Sequence, residues 1–183
     1  MSDIGSIHVF NSPVIEPLSF NSIATEMMAM FGAGGAFGTA AAWPSSNLAI
    51  FIPIKIGSLY IPTKMWWHNG ATVGHNNADV GIYDTQGNRI FHSGSTAVSG
   101  ASALQIVSVS NVALSRGIYY MAMAVNGTTD TFYFGQAPIN AISARAMGIL
   151  SVGTSFTLPA TVTLAGSTTT YFPYIGMGVN TTV

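Results

Sequence analysis

From Pro44 onward the chain consists of short apolar runs that turn residues keep interrupting. In order they are "LAIFIPIKI" (48–56), "LYIPTKMWWH" (59–68), "ADVGIYD" (78–84), "NRIFHS" (88–93), "ALQIVSVS" (103–110), "GIYYMAMAV" (117–125) and "DTFYFG" (130–135), followed by "SFTLPATVTLAG" (155–166) and "YFPYIGMGV" (171–179). β-branched and aromatic residues fill the runs, and Gly, Asn, Ser and Pro separate them. That texture predicts an all-β sandwich or barrel. Pro53 has no N–H to give to a ladder, so its strand should lie at an edge or carry a bulge there. The best helix candidate, residues 22–31, leads straight into glycines, and no solenoid or propeller period is evident.

One run constrains the assembly as well as the fold. In "GIYYMAMAV" one face shows Ile118, Tyr120, Ala122 and Ala124, and the other Tyr119, Met121, Met123 and Val125. A strand of an isolated sandwich normally alternates apolar with polar. With both faces apolar, the second must be covered by an arm, a loop or another subunit. Oligomerisation is the economical expectation, with Tyr119, Met121 and Met123 as interface residues.

The charge balance points the same way. Charged residues make up 6% of the 183-residue chain, against about 25% in ordinary soluble domains. Hydrophobic content of 49% excludes disorder. Five Lys and Arg against six Asp and Glu cannot form the basic stripe that a nucleic-acid partner requires. There is no cysteine, which excludes disulfides, thiolate metal sites and cysteine nucleophiles. A surface without charge needs either hydroxyl and amide groups, as in "NGTTDT" (126–131), or neighbouring subunits to cover it.

Ahead of the strands, residues 1–45 are expected to form an extended, weakly structured arm, with the sandwich spanning 46–183. The uncharged stretch "MMAMFGAGGAFGTAAAWP" (27–44) has four glycines and no basic flanks, which argues against a membrane span. Its glycines do not fall at the dinucleotide-loop spacing. It suits an arm that packs on other subunits, with Met27, Met28, Met30 and Phe31 as contact residues.

Candidate chemistry concentrates in two places. The stretch "ADVGIYDTQGNRIFHSGS" (78–95) holds two carboxylates, an arginine and a histidine. A hairpin turn over Asp84–Gly87, with Gly87 in the left-handed region and Asp84 accepting from the backbone amides that follow, accounts for it without catalysis. In "WWHNGATVGHNNAD" (66–79), His68, His75 and Asp79 could hold an ion, but their spacing is irregular and a polar loop is the simpler reading. No G-x-S-x-G is present. The carboxylates are few and sit in the arm or at turns and strand ends, so neither an enzyme nor a cofactor is expected. Trp66 and Trp67 point to opposite faces of one strand. One should be core, and either is a candidate platform for stacking a sugar ring.

The block from "ADVGIYD" through "GIYYMAMAVNGTTDTFYF", with its V-x-I-Y-D-x-x-G hairpin, G-x-Y-Y-x-A strand and late "LPATVTLAGSTTTYFPYIGM" segment, resembles β-sandwich modules of tailed-bacteriophage virion proteins. The likeness covers roughly residues 59–179, and no catalytic motif travels with it. It implies a jelly-roll-like antiparallel sandwich, commonly a homotrimer, in a virus particle. The chain has no heptads or collagen repeat of the kind a long fibre needs. A capsid decoration (cement) protein, with the major capsid protein or other virion proteins as partners, fits better than a receptor- or glycan-binding module of a head or tail fibre. Neither reading involves nucleic acid or a membrane.

Overall fold

The computed structural model describes residues 40–134, 148–165 and 171–178. They form eleven strands: β1 (Ala40–Ala42), β2 (Leu48–Ile56), β3 (Lys64–His68), β4 (Asn77–Tyr83), β5 (Arg89–His92), β6 (Thr96–Ala97), β7 (Leu104–Ser108), β8 (Gly117–Val125), β9 (Thr131–Tyr133), β10 (Leu150–Gly153) and β11 (Ile175–Gly178). No helix occurs among the described residues. The fold is an all-β antiparallel sandwich. Its larger sheet runs β10-β2-β8-β4-β5 with β6 paired to the start of β4, and its smaller sheet runs β11-β3-β7. A ribbon of β1 and β9 completes it.

Period-two alternation builds the main core. Ile50, Ile52, Ile54 and Ile56 of β2, Met121, Met123 and Val125 of β8, and Val80 and Ile82 of β4 share one core with Met65, Trp67, Ile175 and Met177 of the smaller sheet. Pro53 meets its expectation of an edge. β2 lies between β10 and β8, but its pairing with β10 ends at Phe51, so among the described residues Pro53 faces no ladder partner on that side. In the run 59–68 the ladder begins only after Pro62, and Tyr60 makes an isolated bridge to Leu114.

Met121 and Met123 are fully buried between the two sheets of a single chain, and they have no surface to offer a partner. The expected interface there is corrected accordingly; Tyr119 is half-buried beside the same core. The second face of the larger sheet is also covered from within. Ala49, Phe51, Tyr83, Ala122 and Ala124 pack with Leu158, and Phe156, Val162 and Leu164 lie against them. Residues 154–165 are therefore a strap across the sheet, not the strand expected for 155–166. Pro159 has no N–H for a ladder, and only Thr161 makes a bridge, to Asn88.

The boundary between arm and sandwich also moves. β1 already pairs with β9, and Trp43 is 1% exposed with its ring 5.5 Å from that of Phe132 and 6.0 Å from that of Phe134. The sandwich thus includes residues from Ala40 onward. Met27, Met28, Met30 and Phe31 lie outside the described residues.

Candidate functional site

The stretch 78–95 forms a hairpin whose turn chemistry follows from its residues. Asp84 Oδ1 accepts the backbone N–H groups of Gln86 at 2.9 Å and Asn88 at 2.8 Å, and Oδ2 accepts from the Asn88 side chain at 2.9 Å. Gly87 has φ +84°, and a Cβ there would strike the Val162 carbonyl. Slight desolvation, which alone would raise the Asp84 pKa, is outweighed by the hydrogen bonds from Asn88, Gln86 and Gly87, and the carboxyl titrates below the ordinary aspartate value. A folded-state pKa below the unfolded one adds stability above the unfolded value, and that stability is lost as pH falls through the folded value. Asp84→Ala removes these solvent-screened turn hydrogen bonds and should cost about 0.5–1 kcal/mol at neutral pH. In urea titrations the gap from the parent protein should close under acid conditions.

Asp79, on the opposite end of the same strand, is fully buried and acts differently. Its Oδ2 lies 2.8 Å from His92 Nδ1 and accepts the Leu158 N–H at 3.0 Å, while the Ser93 hydroxyl lies 3.2 Å from Oδ1. This is an aspartate, a histidine and a serine in contact, but not in the order a nucleophile requires. A catalytic serine gives its proton to the imidazole, with the carboxylate behind it. Here serine and histidine both bond to the carboxylate.

The group instead fastens the strap. Arg89 donates through Nη1 to the Leu158 carbonyl and through its backbone to Ala160 O at 2.8 Å. Val162 donates to Gly87 O at 2.8 Å, and the Tyr83 hydroxyl donates to Pro159 O at 2.6 Å. Burial pushes the Tyr83 pKa far above that of an ordinary tyrosine, so the hydroxyl keeps its proton for that bond.

The second buried carboxylate, Asp130, fastens the segment just before β4 to the start of β9. It accepts the backbone N–H of His75 at 3.1 Å and of Asn76 at 2.8 Å, and its Oδ1 lies 2.9 Å from His75 Nδ1. Asn76 Oδ1 accepts in return from the backbone of Thr129 and Asp130. His68, His75 and Asp79 are thus engaged separately: His75 with Asp130, Asp79 with His92, and His68 edge-on to the Tyr133 ring at 4.5 Å. Among the described residues no three potential ligands converge on one point.

The two tryptophans divide as strand alternation requires. Trp67 is 1% exposed and donates to Asn69 Oδ1 at 2.7 Å, so it cannot stack on a sugar; that candidacy is withdrawn. Trp66 is half-buried on the outer face of the smaller sheet, opposite Ile106 of β7 and Gly176 of β11. Large apolar side chains are exposed at Leu59, Ile61, Leu104 and Ile118. Lys55 and Arg116 are the only exposed Lys, Arg, Asp or Glu side chains among the described residues. None of these burial states follows from local sequence alone; the pairing of Asp130 with His75 spans 55 residues.

No helix among the described residues is long and apolar enough to cross a membrane. No family model, curated protein or solved structure matches the chain.

Proposed function

We propose that the chain is a non-enzymatic structural protein of a tailed-phage virion, a homotrimeric capsid decoration protein that binds the major capsid protein and stabilises the head. The observation that carries this reading is the surface. Among the described residues, two exposed charged side chains, Lys55 and Arg116, stand against four exposed large aliphatic ones. A free protein keeps itself dispersed with interspersed charge. A protein covered by neighbours has no such need, and burying those aliphatics contributes about 25 cal/mol per Å² before ordering costs.

The carboxylates support the same reading. Asp79 and Asp130 are spent on backbone N–H groups and histidines inside the fold, which is how a rigid, contact-making scaffold uses them. The likeness of residues 59–179 to phage sandwich modules supplies the particle. Mass spectrometry of density-banded tailed particles from cells expressing the protein tests the proposal. The chain should be present in a fixed ratio to the major capsid protein. Its absence from banded heads would overturn the reading.

A further inference from the structure

We propose that the outer face of the β11-β3-β7 sheet is a carbohydrate-stacking site with Trp66 as its platform. The inference is independent of the role in assembly.

The three tryptophans of the chain are not equivalent. Trp43 donates its indole N–H to Leu48 O at 2.9 Å, and Trp67 donates to Asn69 Oδ1 at 2.7 Å; both rings are core. The Trp66 N–H has no partner and is open to water. Its ring leans across the sheet onto Gly176. A Cβ at that glycine would come within 2.3 Å of Trp66 Cζ2 and 2.8 Å of Nε1. The absence of a side chain at 176 therefore lets the half-buried indole lie against the strand backbone with its N–H open to water.

The surroundings select the ligand. Ile106 of β7, half-buried on the same face, adds apolar surface beside Trp66. Two residues along β3, the Lys64 ammonium donates to the Ser108 hydroxyl at 2.7 Å, a polar pair at the margin of the platform. A pyranose presents a C–H face to an aromatic ring and a rim of hydroxyls to neighbouring donors and acceptors, which matches a half-apolar, half-polar surface. Nucleotides would need a cluster of phosphate-binding cations, and among the described residues Lys64 is the only Lys or Arg on this face. A neutral glycan is the ligand class that fits.

The full chain can be tested on an array of defined neutral oligosaccharides, with bound sugars followed by saturation-transfer NMR. At least one should bind. Trp66→Ala should weaken it by about tenfold or more, while Trp66→Phe, which keeps a ring, loses less. Gly176→Ala should also weaken binding by displacing the indole. An array without a bound sugar overturns the proposal, as does undiminished binding by Trp66→Ala with a native amide spectrum. Loss of self-association in Trp66→Ala without any sugar binding would also overturn it and make the face a protein contact.

Discussion

Asp79→Ala is expected to unfasten residues 154–165 from the larger sheet and to cost about 3 kcal/mol of stability. The substitution leaves the Leu158 N–H without its acceptor at a fully buried position, and removes the carboxylate partner of His92 and one of the partners of Ser93. Strap contacts with Ala49, Phe51, Ala122 and Ala124 would then loosen. Asp79→Asn should cost less, because an amide oxygen can still accept the Leu158 N–H. Urea unfolding measures the difference. Hydrogen exchange should place the extra opening at the Leu158 and Val162 amides. A loss spread evenly over β2 and β8 would argue against a separate fastening role.

Adjacent tryptophans should respond in opposite ways. Trp67→Ala empties a site that is 1% exposed between the sheets and should cost about 4 kcal/mol, in the range for deleting a large buried aromatic. It also leaves the buried Asn69 with one hydrogen bond fewer. Trp66→Ala removes a half-buried ring from the outer face and should cost about 1 kcal/mol or less. Parallel denaturant curves test the contrast, and equal losses would contradict the assignment of Trp67 to the core and Trp66 to the surface.

Where the fold could be read from the sequence, local rules were sufficient. β8 coincides with "GIYYMAMAV" and β2 with "LAIFIPIKI", since each is a nearly unbroken apolar run bounded by turn residues. The Asp84 turn is legible because aspartate, glycine and asparagine at those positions act on their own backbone. β1 was not legible, because three alanines carry no strand signal and form one only against β9.

The doubly apolar β8 shows that both faces are covered but not by what. The cover is a strap 79 residues away from Asp79 in the chain, and such a distance has no local signature. Its apolar alternation imitates a strand, and only the tertiary contacts of Leu158 and the missing N–H of Pro159 make it a cover. The candidate sugar site was half legible: alternation separates Trp66 from Trp67, but not which of the two faces the core.

With the second sheet face covered by its own strap, the case for assembly rests on the nearly uncharged exterior of the described residues. The solution mass of the purified full chain by multi-angle light scattering tests that case most directly. A homotrimer gives a particle of three times the 19.1 kDa chain mass, stable on dilution. A well-folded, soluble monomer at the same concentrations would contradict it.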